Sequence, residues 1–324
     1  MKRSRNDDDA ADPTQRLAAV DAEIATLEAQ LAERRRERIE LIEASQRRAD
    51  GTAPPGFAAA LSRRTPLDTT TLLQLLKWNT PTVFNGWEQI TANPSYGREC
   101  FNLEPITDHA PIFGPMLGYA LTVRISPGDR TVAQLAANRQ RFREHVASLP
   151  PQHPKIVVVE DADKPRIYGS MWGEVNATFF KAIGAVGCIT DGGVRDLDEM
   201  AAVGFHAMSR GVCIGHSFGG VPIEWDVPVN VFGVTVRPGQ LIHADKHGFL
   251  VVPEEDEPRL LEATEFMDLL ERKHTIVPGR EAAVTAASVR DVTQAMAAAT
   301  QRFGEEKNQA YGTYASRFPA AGAE

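Results

Sequence analysis

Apolar residues along this chain change their spacing several times, and each change marks an element. Leu17, Val20, Ile24, Leu27 and Leu31 recur at alternating intervals of three and four, the seam of a coiled-coil-like helix. Asp12-Pro13-Thr14-Gln15 opens it with a capping residue, a first-turn proline and a glutamine three residues after the cap. The seam fails at Arg34 and Arg38 and resumes at Leu41, so packing on its own domain or a neighbouring subunit competes with a free-standing zipper. The charged start, up to about residue 12, is expected to be disordered. Residues 1–50 thus read as a disordered start with a helical extension. Residues 51–64 read as a linker, on the strength of the Gly- and Pro-rich run from Asp50 to Gly56.

Beyond the linker the pattern becomes that of a mixed α/β core, residues 65–256. Asp68 to Ile90 predicts a helix and turn, capped by Asp68 or a following Thr, with Leu72, Leu73, Leu75 and Leu76 facing inward. GYALTVRI (118–125) is a strand by β-branched content, and 127–149 a turn followed by an amphipathic helix. KIVVVE (155–160) is a buried-type strand, VNATFFKAIGA (175–185) a helix, and VGCIT (186–190) a second strand that Asp191-Gly192-Gly193 should break before a helix from Arg195. Strand, loop, helix, strand favours parallel pairing of the two strands. Residues 227–236, 240–243 and 248–253 give short strands between Gly and Pro turns. Residues 257–324 form a C-terminal helical extension of two helices, 258–273 and 280–303, separated by HTIVPG.

Chemistry concentrates between Gly169 and Asp196. The run Gly169-Ser170-Met171-Trp172-Gly173 precedes a helix, so its backbone N–H groups can meet an anion where the helix dipole also favours negative charge. Glu174 follows it, and Arg195-Asp196 fall at the carboxyl end of a strand, where α/β folds open their ligand crevices. Arg195 is a charged fork for a carboxylate and Asp196 a hard oxygen ligand for Mg²⁺ or Mn²⁺. The structural alternative stays open on spacing alone: an ordinary turn, a helix-start carboxylate at Glu174 or Asp196, and an Arg195 paired with any surface acid. Trp172 either shapes the pocket or packs on the adjoining helix.

Several stretches resemble, in order and separation, the family of the regulator of ribonuclease activity A and the 4-hydroxy-4-methyl-2-oxoglutarate/4-carboxy-4-hydroxy-2-oxoadipate aldolases. They are TPTVFNGWEQI, GPMLGYALTVRISPGD, GEVNATFFKAIGAVGCITDGGVRD, SRGV, and VPVNVFGVTVRPGQLIHADKHGFLVVP, between about Thr80 and Pro253. The resemblance implies a swivelling β/β/α sandwich, a phosphohistidine-domain-like core, here with added N- and C-terminal helices. It also implies a class II, metal-dependent pyruvate aldolase that cleaves a 4-hydroxy-2-oxo acid, with oxaloacetate decarboxylase activity. Glu174, Arg195 and Asp196 would be catalytic, with Asp196 holding Mg²⁺ or Mn²⁺ and the loop from Gly169 to Gly173, with Arg195, binding the keto acid. Glu174 would orient water or move a proton. The family's site near a subunit boundary implies a homotrimer or homohexamer. A non-catalytic, protein-binding regulator and another metal-dependent lyase or hydrolase on the same scaffold remain alternatives.

His243, Asp245 and His247 would share one side of an extended strand, the arrangement of a metal triad. The family has a tight turn there with an Asp matching Asp245, which leaves three readings: a metal site, an Asx-type turn, or a contribution to a neighbour's site. Arg210 suggests an internal ion pair or subunit contact, and His206 and His216 have no partner at a usable spacing. The net charge of −8, from 35 basic and 43 acidic residues, disfavours general nucleic-acid binding. Three widely spaced cysteines, Cys100, Cys188 and Cys213, read as packing residues in a reducing compartment. With no apolar signal region and no run of membrane-span length, a cytoplasmic location is expected.

Overall fold

The computed structural model describes residues 16–27, 30, 56–93, 96–128, 132–150, 152–216 and 222–318. Residues 16–27 form a helix, α1, along which Leu17, Val20, Ile24 and Leu27 are exposed. Leu31, the cap at Asp12 and the run from Asp50 to Pro55 lie outside the described residues.

Helical structure begins again inside the stretch expected to be linker. In α2 (Phe57–Ser62), Phe57 and Leu61 are one turn apart and both are buried in the core. Asp68 caps α3 (Thr69–Leu75), its carboxylate accepting the Thr71 N–H at 3.0 Å. Leu72 and Leu75 are buried and Leu76 is partly buried, but Leu73 is 62% exposed: the other three already fill the inward face, and a helical step of about 100° turns Leu73 away. In α4 (Thr80–Ile90), capped by Asn79, Gly86 lies so close to helix α9 (Glu257–Glu271) that a Cβ would stand 2.5 Å from Thr264 N. The short α5 (Tyr96–Glu99) follows.

Four strands run parallel: β2 (Met116–Ile125), β3 (Lys155–Asp161), β4 (Ala185–Val194) and β5 (His206–Val212). They are connected by α6 (Val132–Ala147), α7 (Glu174–Ala182) and α8 (Leu197–Ala202). Antiparallel strands extend both sides: β1 (Thr107–Asp108) on β5, β6 (Pro222–Trp225) and β9 (Leu241–Asp245) on β2, and β10 (Gly248–Val252) on β9. The chain leaves a bridge to β10 at Phe101 and joins the opposite edge at β1, so the sheet nearly closes. A separate hairpin, β7 (Val229–Val231) and β8 (Val234–Val236), covers one face. The unbroken apolar run of β3 is explained by burial on both faces. Val157 and Val159 pack with the helices, while Ile156 and Val158 pack with β7 and β8. This is the mixed α/β architecture, with added helices, that the sequence predicted.

Two expectations are corrected. Asp191-Gly192-Gly193 does not end the strand, since β4 continues to Val194 through a register shift against β5. Glycine is needed there for close approach rather than for turning: a Cβ on Gly192 would lie 2.8 Å from Asp161 Oδ2, and one on Gly193 2.6 Å from Ile167 Cγ2. HTIVPG does not separate two helices either. α9 continues through a π-helical turn (Arg272–Ile276) into α10 (Val277–Thr285), with Pro278 in the first turn, where a missing N–H costs least. The break comes before Ser288, whose hydroxyl accepts the Asp291 N–H at the start of α11 (Val289–Tyr311); α12 (Tyr314–Arg317) is the last helix. Among the described residues no helix is long and apolar enough to cross a membrane.

Behind the glycines, Asp161 is fully buried and its Oδ2 has no hydrogen-bond partner among the described residues. Burial, with Asp191 nearby, pushes its carboxyl up to about 7. A raised acid favours the neutral form in the folded chain, so its stabilising contribution is complete below the ordinary carboxylate range and is lost as pH rises through about 7. Asp161→Asn removes that titration. Between pH 5 and pH 8 the melting temperature of the wild-type chain should fall more than that of the variant; equal slopes in a scanning-calorimetry series would reject the assignment.

Candidate functional site

Immediately after β4, Asp196 adopts the left-handed conformation (φ 52°, ψ 49°), which Asp tolerates better than most residues but which still stores strain. The bend keeps its carboxylate off its own helix, α8, where it makes no capping bond. Instead Oδ2 accepts the Glu174 N–H of α7 at 3.2 Å, with Arg195 Nη2 3.6 Å from the same oxygen. Gly173 makes this possible. A Cβ there would stand 2.5 Å from Asp196 Oδ2 and 3.3 Å from Arg195 Nε.

The loop before α7 is pinned from behind. Ser170, buried, accepts the Trp172 N–H through Oγ at 2.7 Å, and its hydroxyl has the Gly193 and Trp172 carbonyls as acceptors, each at 2.7 Å. Asn176 Nδ2 donates to the Met171 carbonyl, the Ser170 N–H to Gly215 O, and the Arg195 N–H to Trp172 O. Trp172 forms an isolated parallel bridge to Val194, and its indole packs between Phe180 (5.1 Å) and Phe205 (5.0 Å). The indole therefore builds core, while the backbone of residues 170–173 faces a cavity. α7 has no side-chain cap at Gly173; Asp196 takes the Glu174 N–H, and the N–H groups that follow it in the first turn are left for a ligand.

That cavity, of about 210 Å³, is walled by Ser170 to Gly173 on one side and by Arg195 and Asp196 on another. Val175 and Asn176 belong to it, and Arg139 and Arg143 of α6 and His216 complete it. Of the residues singled out in the sequence, Ser170, Met171, Trp172, Gly173, Arg195 and Asp196 thus converge. Gly169 is buried behind the lining. Glu174 stands outside it, its side chain exposed and its backbone N–H on Asp196. Sequence reasoning missed Arg139, Arg143 and His216. The two arginines are four apart on a helix, an arrangement that reads as a solvated face until the fold shows what stands opposite. Among the described residues, the cavity lining carries three guanidinium groups against one carboxylate, in a chain of net charge −8.

The other constellations resolve into structure. Asp245 Oδ1 accepts the His247 N–H at 2.8 Å, and Oδ2 accepts the Thr80 N–H at 2.9 Å at the start of α4. Burial alone would raise the Asp245 carboxyl; the bonds from Thr80 and His247 outweigh it and hold the group below its usual range. His243 bonds Thr80 Oγ1 through Nδ1, and burial pulls it down to about 4, so it stays neutral. Of the three readings of this stretch, the Asx-type turn is the one observed, and among the described residues no group of three His, Cys, Asp or Glu could hold a metal. Arg210 bonds the Asp191 carbonyl and pairs with Glu104 at 2.6 Å, an internal tie. The three cysteines are free thiols, two of them buried.

A family model described as RraA-like, Aldolase/RraA, matches residues 80–251. The chain belongs to this RraA-like family. A relative in Halalkalibacterium halodurans, provisionally named a 4-hydroxy-4-methyl-2-oxoglutarate aldolase, is 28% identical over 160 residues, 49% of this chain and 68% of its own length. The uncharacterised protein MJ0644 of Methanocaldococcus jannaschii is 26% identical over 174 residues, 53% of this chain and 75% of its own. The solved structure of RraAS2 from Streptomyces coelicolor, described as an unusual member of the RNase ES inhibitor RraA family, shares the fold. Its TM-score is 0.51 at 20% identity, over 66% of this chain and 99% of that one. The family thus spans aldolase-type and ribonuclease-regulator members.

Proposed function

We propose that the cavity is the active site of a divalent-metal-dependent lyase that cleaves a 4-hydroxy-2-oxo acid to pyruvate and a second carbonyl compound. Decarboxylation of oxaloacetate, which needs the same electron sink, is its companion reaction. One observation carries this reading: Arg195 and Asp196 stand side by side at the N-terminus of α7, where Asp196 takes the Glu174 N–H, in a cavity whose described lining residues include no lysine for a Schiff base.

Asp196 suits Mg²⁺ or Mn²⁺. One oxygen is taken by the Glu174 N–H, the other has no hydrogen bond among the described residues, and Mg²⁺ is commonly held by one or two carboxylates with water and substrate completing its shell. When bound, the cation supplies electrophilic stabilisation of charge on the keto oxygen. The protein's own groups do the rest. The first-turn N–H groups of α7 and the Arg195 guanidinium bind the carboxylate of the keto acid and oppose the negative charge that grows as the C3–C4 bond breaks. The 4-hydroxyl proton leaves as C4 becomes a carbonyl, and the electron pair stays on C3, which is then protonated to give pyruvate. Glu174, exposed at the rim, moves these protons through water.

The test is coupled pyruvate release from a panel of 4-hydroxy-2-oxo acids and oxaloacetate, with Mg²⁺, Mn²⁺ or EDTA. Metal-dependent release is expected; no turnover on any member would leave the regulator reading. Arg195→Lys, which keeps the charge but loses the planar two-point grip, should lower kcat/KM by on the order of 10–100-fold. Kinetics equal to the wild type on every accepted substrate would return Arg195 to a structural role.

The same reading extends to assembly. Val175 (74% exposed), Val212 (61%) and Ile214 (98%) leave apolar surface beside Arg195, whose guanidinium reaches the Ile214 carbonyl. We assign this rim to contact with a second copy of the chain in a closed trimer or pair of trimers. Ile214→Asp should lower the molar mass measured by light scattering, and a fully active wild-type monomer would contradict the assignment.

A further inference from the structure

The orphaned carboxyl of Asp161 has no role in the chemistry above, yet it stands directly behind the groups that shape the pocket. Asp161 ends β3, and its backbone N–H donates to Asp191 Oδ1 of β4 at 2.8 Å. Its own Oδ1 accepts the Asp163 N–H at 2.9 Å and so holds the start of the segment that leads to Ser170. Oδ2, without a hydrogen-bond partner among the described residues, lies against Gly192, where a Cβ would stand 2.8 Å from it. Gly192 falls within the register shift of β4 against β5, and its N–H donates to Thr190 Oγ1 at 3.1 Å.

The next residue carries this contact into the site. Ser170 Oγ lies 2.7 Å from the Gly193 carbonyl and accepts the Trp172 N–H, and the Trp172 carbonyl in turn accepts the Arg195 N–H. Asp161, the glycine pair, Ser170 and the pocket backbone therefore form one contiguous stack, and a displacement at Gly192 is passed on to residues 170–173 and to Arg195.

The charged groups around Asp161 are already committed. Asp191 and Asp163 carry its own sign, and Lys164 Nζ is shared among Asp191 Oδ2 at 2.6 Å, Glu160 Oε1 at 3.2 Å and the Asn230 carbonyl. Arg210 donates to the Asp191 carbonyl and pairs with Glu104. The Cys213 thiol, which a Cβ on Gly193 would meet at 2.9 Å, is pushed above its usual range by burial, and Arg195 beyond it pairs with Asp196. An ionised Asp161 would thus press a bare carboxylate oxygen on a glycine backbone, a buried charge relieved by shifting that backbone or admitting water.

We propose that Asp161 is a positioning residue that switches the pocket: as a neutral acid it lets the Gly192-Gly193 step close on it and hold residues 170–173 in place, and on losing its proton it releases them. The inference goes beyond the lyase reading, because it concerns the order of the pocket loop whatever that loop binds. Burial, with Asp191 nearby, sets the carboxyl at about 7, so the loop is fully held in mild acid and released as pH rises through neutrality.

The experiment is hydrogen exchange of the full chain at about pH 6 and about pH 8.5, read by mass spectrometry with each rate divided by the intrinsic rate of the same peptide. In the wild-type chain, protection of the peptides carrying Ser170 to Trp172 and Arg195 should fall about tenfold or more between the two, while that of α9 stays constant. Asp161→Asn, neutral at every pH, should keep the acid-side protection at both. Asp161→Ser, whose hydroxyl can still accept the Asp163 N–H, should do the same and keeps the test valid if Asp161→Asn folds poorly. The ratio of wild-type to Asp161→Asn kcat/KM for pyruvate release should fall over the same range, a change in pH profile that a purely structural residue would not produce. Protection in the wild-type chain that is flat with pH, a fall of equal size in the variants, or variants unprotected at both pH values overturns the proposal. A fall confined to the wild-type chain, in a protein that releases no pyruvate from any substrate, would leave the switch standing and remove the lyase reading.

Discussion

Asp196→Asn is expected to lower metal-dependent pyruvate release by on the order of 10²–10³-fold while leaving the melting temperature within a few degrees of the wild type. Asn is the informative replacement because it isolates charge from shape. Asp196 sits at φ 52°, and Asn enters the left-handed region as readily as Asp does, so the bend between β4 and α8 survives. The side-chain oxygen can still accept the Glu174 N–H, and the ion pair with Arg195, 3.6 Å long and about one-third exposed on both sides, contributes little to stability. What disappears is the one carboxylate among the described residues of the cavity lining, and with it the anionic ligand proposed for Mg²⁺. The measurement is kcat at saturating and limiting Mg²⁺, beside a calorimetric melt. Wild-type turnover with the same response to EDTA would show that the cation, if used, is held elsewhere.

How much of this was legible in the sequence differs by element, for physical reasons. The caps at Asp68 and the parallel β3–β4 pair were readable because both depend on neighbours in the chain or on a short crossover. So was the position of Arg195 and Asp196 at a strand end, since β4 stops at Val194. Glycine and proline misled where their use was tertiary. Gly192 and Gly193 serve a close approach by Asp161 and Ile167 rather than a turn, and Pro278 follows a π turn that lets the helix run on. The α6 wall was illegible for the same reason. Nothing within Asn138-Arg139-Gln140-Arg141-Phe142-Arg143 distinguishes arginines facing water from arginines facing a cavity, and only the burial of Phe142 against Phe180 and Trp225 decides it. His216 reaches the cavity from a segment remote in sequence from both Arg139 and Ser170, a convergence with no periodic trace.

Gly173→Ala should reduce activity nearly as much as losing the Asp196 charge, although alanine brings no polar atom and removes none. The backbone at Gly173 is extended (φ −174°), a conformation alanine adopts freely, so the substitution costs nothing there and slightly restricts the unfolded chain. The new methyl group is the whole effect. It would arrive 2.5 Å from Asp196 Oδ2, well inside van der Waals contact, and 3.3 Å from Arg195 Nε. Gly173 is held by the Ala177 N–H bonded to its carbonyl, and the Trp172 and Arg195 backbones are tied together beside it. The carboxylate, partly exposed and anchored at Glu174 N by one 3.2 Å bond, is the part free to move. It would swing away, lose that bond and carry its acceptor oxygens off the end of α7, a displacement of the size that costs on the order of 10²-fold in a positioned site. Stability should change by less than about 1 kcal/mol, because the displaced bond is solvent-accessible and the backbone gain opposes its loss. Pyruvate release and a thermal melt, run on Gly173→Ala beside Asp196→Asn and the double variant, decide the point. A double variant no worse than the poorer single one is expected, since both changes act on one carboxylate. Full activity in Gly173→Ala would mean that the Asp196 side chain has room to spare, and that its contact with the start of α7 is incidental to the chemistry.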